Sequence, residues 1–325
     1  MYNHSALKDI IDRALLNLSY NTEAQKLIDP VKYILSMGGK RIRPVMTLMT
    51  CNLFIDKIDD AILPATGIEV FHNFTLVHDD IMDNSSVRRN FPTVHTKWNL
   101  NQAILSGDVM AFIANECLLQ TPVPKLQKVF REFNKAAMEV CIGQQLDMDY
   151  EKAPMISQAE YLRMIELKTA VLLAASMKIG ALIGSENETD VDILYESGRN
   201  LGLAFQIQDD ILDIWGEIKV FGKKAGGDIV ANKKTLPFIK ALDLAKGEQL
   251  RYLQELYSPE KEYDPEIKVN TVKGIYDELL VREKTEAIAR DFITRAFDLI
   301  EKVNVEAKRK RELISLIDSL AGREF

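Results

Sequence analysis

The chain has 325 residues, 47% of them hydrophobic and 27% charged, enough apolar material for a large core beneath a well solvated surface. Its formal net charge of −7, with acidic and basic residues interspersed, argues against nucleic acid as a partner, so an anionic ligand would need a local site. No Gly/Ser-rich or Pro-rich linker, low-complexity tract or fixed-period repeat divides residues 1–325, which read as one domain.

Residues 1–18 carry Lys8, Asp9, Asp12 and Arg13 among apolar positions, the pattern of an amphipathic helix and not of a signal peptide. The run Gly38-Gly39-Lys40-Arg41-Ile42-Arg43-Pro44 breaks the helical pattern and sets three cations beside glycines that let a backbone approach a ligand. It would make an anion cradle, although basic loop residues are more often simply solvated. Residues 66–83 read as a helix whose polar residues interrupt its apolar pattern. Further breaks are expected at Pro122 and Pro124, over residues 152–154, and around Pro259 and Pro265. Ser157-x-x-Glu160 has the form of a capping box opening a helix through Lys168 toward Ala181. The longest apolar region, residues 170–184, contains Lys178 and is shorter than a bilayer span, so no transmembrane segment is expected. Residues 200–215 read as a helix buried nearly all round, around Gln206, Asp209, Asp210 and Asp213. Strand-like alternation is scarce throughout, and the expected fold class is all-α. Cys51, Cys117 and Cys141 are widely spaced and fit reduced core thiols better than disulfides or zinc ligands, which favours the cytoplasm.

Two Asp-Asp-x-x-Asp runs follow apolar helical stretches, Asp79-Asp80-x-x-Asp83 and Asp209-Asp210-x-x-Asp213. Positions i and i+4 share a helix face, so each run presents paired carboxylates that would repel without a partner. A single such run is more often a solvated face or a helix cap; two copies shift the balance toward a cation site. Carboxylate oxygens suit Mg²⁺, which usually shares its shell with water and phosphate. Neither an EF-hand spacing nor the paired Glu-x-x-His of a di-iron site is present; only Glu69-x-x-His72 occurs. Arg88 and Arg89 follow the first run, while Lys168-Thr169, Lys223 and Lys233 flank the second. A lone helical histidine is most often structural, but His72 lies two turns before Asp79 on the same face.

With these residues assembled, the chain resembles the trans-isoprenyl diphosphate synthases, the makers of farnesyl, geranylgeranyl and longer polyprenyl diphosphates. The resemblance spans nearly the whole chain and is carried by GGKRIRP at 38–44, His72, LVHDDIMDNSSVRR at 76–89, Lys168-Thr169, FQIQDDILD at 205–213 and FGKKAGGD at 221–228. It implies a single large helical bundle with a central active-site cavity, working as a homodimer. It also implies a head-to-tail condensation of isopentenyl diphosphate with an allylic diphosphate, dependent on three Mg²⁺ ions. Asp79, Asp83 and Asp209 would be the metal ligands and Asp80 and Asp213 their support; with Asp210 and Lys168 these make up the implied catalytic set. Arg88, Lys168, Thr169, Gln206, Lys223 and Lys233 would meet the allylic substrate, and Gly39, Lys40, Arg43, His72 and Arg89 isopentenyl diphosphate. The chemistry is consistent, because cations that stabilise a departing diphosphate let the allylic C–O bond ionise without a protein nucleophile. Two residues depart from the family pattern, Asn90 where glycine is common and Lys224 where proline is frequent.

The product's hydrocarbon tail should run along the helix that carries Asp79. Phe74 lies about 7.5 Å before Asp79 and Phe71 about one turn deeper, so either ring would make a floor, although both also read as ordinary core aromatics. An aromatic at Phe74 resembles short-chain producers, and the absence of an insertion between Asp80 and Asp83 favours geranylgeranyl over farnesyl diphosphate. A terpene cyclase would share the aspartates but not an isopentenyl site built on Lys40, Arg43, His72 and Arg89; a non-catalytic subunit of a heteromeric synthase would be expected to lack one aspartate run.

Overall fold

A computed structural model of the chain describes residues 1–20, 23–216, 226–258 and 261–322. Helices α1 (His4–Leu16), α2 (Gln25–Ser36), α3 (Ile42–Phe54) and α4 (Asp59–Met82) lead to a small hairpin, β1 (Val87–Arg88) and β2 (Phe91–Pro92). After it come α5 (Val94–Lys97), α6 (Leu100–Leu119), α7 (Val123–Lys152), α8 (Gln158–Ile165), a π turn (Glu166–Ala170), α9 (Val171–Gly184) and α10 (Glu188–Trp215). The remaining described helices are α11 (Gly227–Val230), α12 (Leu236–Leu244), α13 (Gly247–Leu256), α14 (Pro265–Glu278), α15 (Val281–Lys302) and α16 (Ala307–Ala321). Apart from the hairpin, regular structure among the described residues is helical, as the sequence pattern requires.

The helix ends follow local chemistry. The Asn3 side chain caps α1 by accepting from the Ala6 N–H, and α1 buries Leu7, Ile11 and Leu15 at four-residue spacing. The capping box forms as expected: Ser157 Oγ accepts from the Glu160 N–H at 3.2 Å, and Glu160 Oε2 from the Ser157 N–H at 2.7 Å. Pro265 opens α14 behind Asp264, whose side chain accepts from two backbone N–H groups.

Two compact units form. The first comprises residues 1–135, 175–195 and 302–316; the second comprises 136–174, 196–301 and 317–325. In the first, α4 is the buried element, flanked by α6, α3 and α1. In the second, Tyr161, Leu203, Ile207, Ile211 and Leu236 form one apolar cluster, and Ile214, Phe238, Leu256, Val272 and Tyr276 another.

Residues 170–184 prove to be the end of an unbroken helical stretch of 27 residues, Gln158–Gly184, because the π turn carries the helix through. That stretch and α6 are each long and apolar enough to cross a membrane. In the longer one 78% of the apolar window is buried within the protein, so core packing accounts for its composition, whereas in α6 only 39% is buried. Cys51 and Cys117 are buried thiols, but Cys141 is exposed on α7 and is not a core residue as the composition suggested.

The hairpin turn explains Asn90. Arg88 pairs with Phe91, and both residues between them have positive φ, 50° at Arg89 and 65° at Asn90, the signature of a type I′ turn. Asn is among the few L-residues that accept this conformation, so it substitutes for glycine without losing the turn. Asn90→Gly should melt at or slightly above the parent midpoint, whereas Asn90→Val should cost about 1–2 kcal/mol in thermal unfolding.

The π turn is held between two glycines. A Cβ on Gly143 of α7 would lie 2.2 Å from the Lys168 backbone nitrogen, and one on Gly202 of α10 would lie 2.4 Å from Ala170 Cα. Alanine improves helix propensity by about 1 kcal/mol, but a backbone clash is not relieved by a rotamer change, and overpacking costs about 1–3 kcal/mol. Gly202→Ala should therefore lower the melting midpoint.

Candidate active site

In the first unit, the last turn of α4 carries the first aspartate run. Asp79 and Asp83 are one turn apart, and the Asp83 N–H donates to the Asp79 carbonyl at 2.8 Å as Asp83 caps the helix. Asp80 turns inward and is 1% exposed. Arg88, delivered by β1, donates from Nε to both Asp80 oxygens at 2.9 Å and from Nη2 to Oδ1 at 2.8 Å. Its Nη2 also lies 3.8 Å from Asp79 Oδ2. Burial pushes the Asp80 carboxyl up, and the Arg88 guanidinium opposes that shift.

Beside this turn the basic loop closes on itself. Gly38 and Gly39 have φ of 73° and 145°, and Arg89 Nη1 donates to the Gly38 carbonyl. A Cβ on Gly39 would stand 3.1 Å from Arg89 Nη1, so glycine permits the approach. Arg43 Nη1 lies 3.3 Å from His72 Nε2. A guanidinium can only donate, so Nε2 accepts and the ring proton sits on Nδ1. Burial, then the Arg43 and Arg89 charges, hold His72 well below its ordinary range and neutral. Gly39, Arg43, His72 and Arg89 thus converge, with Lys40 exposed on the same loop. Along α4, the Phe74 ring lies 4.7 Å from His78 and 5.3 Å from Phe71, and the Phe71 ring 5.2 Å from Phe133.

In the second unit, a cleft is lined by Asp147, Lys168, Thr169, Gln206, Asp210, Asp228 and Lys233, among others. The π turn presents Lys168 and Thr169: Lys168 Nζ donates to Asp147 Oδ2 at 2.6 Å, and Thr169 Oγ1 to Gln206 Oε1 at 3.0 Å. Gln206 Nε2 in turn donates to Asp210 Oδ1 at 3.0 Å, while the buried Tyr161 hydroxyl donates to Asp210 Oδ2 at 2.5 Å. Both Asp210 oxygens are therefore engaged by protein. Asp209 and Asp213 are half-buried one turn apart, and Asp213 Oδ2 accepts from the Asp228 N–H at 3.0 Å. Burial, then the neighbouring carboxylates, push Asp210 and Asp228 up, the mark of a pocket with surplus negative charge. Lys233 follows Asn232, whose left-handed turn is pinned by Lys268 Nζ at 2.5 Å from Asn232 Oδ1.

Lys223 lies outside the described residues, as do Lys224 and the start of the FGKKAGGD segment. Sequence reasoning missed Asp147 and Tyr161, and it quoted Asp228 only as the end of the FGKKAGGD segment, with no role. Asp147 had a signal, a carboxylate between Leu146 and Met148 on a helix; Tyr161 had none, because its partner is 49 residues away.

The chain matches the Polyprenyl synthetase family over residues 24–275. It is 36% identical to a geranylgeranyl pyrophosphate synthase of Geoglobus acetivorans, across 97% of this chain and 96% of that one. It is 38% identical to a geranylfarnesyl diphosphate synthase of Natronomonas pharaonis, across 73% of this chain and 74% of its relative. A crystal structure of a geranylgeranyl pyrophosphate synthase superposes with a TM-score of 0.95 at 37% identity, covering 100% of both chains. The chain belongs to the polyprenyl synthetase family and is a trans-isoprenyl diphosphate synthase, a prenyltransferase.

Proposed function

We propose that the protein condenses isopentenyl diphosphate with an allylic diphosphate, head to tail and with Mg²⁺, to give geranylgeranyl diphosphate, within one polyprenyl synthetase domain. The observation that carries this reading is the convergence of Gly39, Arg43, His72 and Arg89 beside the first aspartate run. A cyclase needs one diphosphate site; this chain has cationic donors for a second. It also keeps both aspartate runs, which argues against a non-catalytic subunit.

The donor set fits magnesium. Asp80 is committed to Arg88, and Asp210 to Tyr161 and Gln206. By resemblance to the family, Asp79, Asp83 and Asp209, supported by Asp213, would supply hard oxygen ligands, with diphosphate and water completing the shells of three ions. When bound, Mg²⁺ neutralises charge on the leaving diphosphate. Arg88, Lys168, Thr169, Gln206, Lys223 and Lys233 bind and orient the allylic substrate; among them, the Thr169–Gln206–Asp210 chain fixes the orientation of the Gln206 amide before substrate arrives. Lys40, Arg43, Arg89 and the Gly39 backbone hold isopentenyl diphosphate. Neutral His72 adds its Nδ1–H without a further positive charge on the loop. Apolar walls, including Phe74 and Phe71, exclude water from the allylic cation.

A short-chain product is favoured by the aromatic Phe74, backed by Phe71 at 5.3 Å between ring centroids, and geranylgeranyl over farnesyl diphosphate by the absence of an insertion between Asp80 and Asp83. Purified protein with Mg²⁺ and isopentenyl diphosphate should extend dimethylallyl, geranyl and farnesyl diphosphate to that product on chromatography, and chelation with EDTA should stop the reaction. No extension of any primer would refute the proposal. Phe74→Ala should lengthen the products; an unchanged distribution would show that another residue stops the chain.

The proposed homodimer is supported by α6, where Leu105, Phe112 and Leu119 recur every seven residues and are 56%, 69% and 44% exposed. Phe112→Glu should shift the light-scattering mass toward a monomer; an unchanged dimer mass would move the interface elsewhere. The free thiols accord with a cytoplasmic setting.

A further inference from the structure

Arg41 lies between the exposed Lys40 and the half-buried Arg43, yet its own side chain turns into the protein and is 3% exposed. It donates to three acceptors from three elements: Asp12 Oδ1 on α1 at 3.0 Å, Glu69 Oε1 on α4 at 2.7 Å, and the Leu35 carbonyl near the end of α2 at 2.7 Å. Its backbone is left-handed, φ 51° and ψ 36°, a conformation that L-residues rarely keep unless their surroundings over-determine it. That conformation caps α3, since the Arg41 carbonyl accepts from the Val45 N–H at 3.1 Å. Arg43 therefore sits in the first turn of α3, where it reaches His72. Glu69, the buried partner, is one helical turn before His72 on the same helix and is held in turn by Asn73 Nδ2 at 3.1 Å.

We propose that Arg41 is a positioning residue for the isopentenyl diphosphate site: it ties the Gly38-to-Arg43 loop to α4 and, through Asp12, to α1. The diphosphate-binding groups on either side of it are then fixed relative to His72 before substrate arrives. This rests on the reading of that loop as the isopentenyl diphosphate site. Arg41 touches no substrate; its fork carries its effect, because the guanidinium spreads its donors over three nitrogens, Nε, Nη1 and Nη2, each on its own acceptor, whereas an ammonium has one nitrogen at a single point.

The test is steady-state kinetics on the full chain with each substrate varied while the other saturates. Arg41→Met should raise the KM for isopentenyl diphosphate about ten- to a hundredfold while changing the KM for the allylic diphosphate less than about twofold. Arg41→Lys, which keeps the charge and loses the fork, should fall between parent and Met. Asp12→Asn removes the charge of a partner whose side chain is 32% exposed, and should raise the isopentenyl KM about two- to fivefold with an unchanged melting midpoint. If Arg41→Met does not fold, the Lys and Asn variants decide. An unchanged isopentenyl KM in both, or an equal rise in both KM values, would overturn the proposal. Failure of the parent protein to consume isopentenyl diphosphate would instead defeat the functional reading beneath it.

Discussion

Carboxylates carried on buried helices must find a cation or a hydrogen-bond donor, and much of the protein is arranged to meet that demand. An ionised group taken from water into an apolar interior costs several kcal/mol unless it is compensated. Three solutions occur. Asp80 is met by Arg88, Glu69 by Arg41, and Asp210 by the Tyr161 hydroxyl and the Gln206 amide. Each aspartate run thus has one deeply buried member, Asp80 or Asp210, that the protein's own donors hold.

The same division runs through the cations. Arg43 and Arg89 face the loop interior, whereas Arg41 is committed to the protein's own acceptors. Lys268 repeats the arrangement in the second unit, where it is 5% exposed and bonded to Asn232, which precedes Lys233 in a left-handed turn. Magnitudes explain why the strained backbone at Arg41 persists. A left-handed L-residue costs about 1–2 kcal/mol, whereas breaking a buried ion pair by removing one partner costs about 3–5 kcal/mol. The side-chain anchor outweighs the strain and fixes the loop.

Glycine and the π turn supply the remaining precision. Lys168 and Thr169 do not lie on a regular helix face; the widened turn displaces them, and Gly143 and Gly202 let neighbouring backbones press on it from α7 and α10. Two cleft-lining residues, Lys168 and Thr169, are thereby set by backbone contact, which is stiffer than a side-chain contact.

The residue pattern alone determined the helical class, the Ser157 capping box and the two paired-carboxylate runs, because helix periodicity and capping are local and i, i+4 spacing needs no tertiary partner. The grouping of Arg43, His72 and Arg89 came from the family resemblance and not from spacing. Tertiary structure decided what lies across long sequence gaps: Tyr161 on Asp210, Asp147 on Lys168, and Arg41 on Glu69 and Asp12. It decided that Asn90 can replace glycine in a type I′ turn and that the apolar run ending at Gly184 continues back to Gln158. The direction in which a polar side chain points is set by which helix packs against it, and no local rule of spacing contains that information.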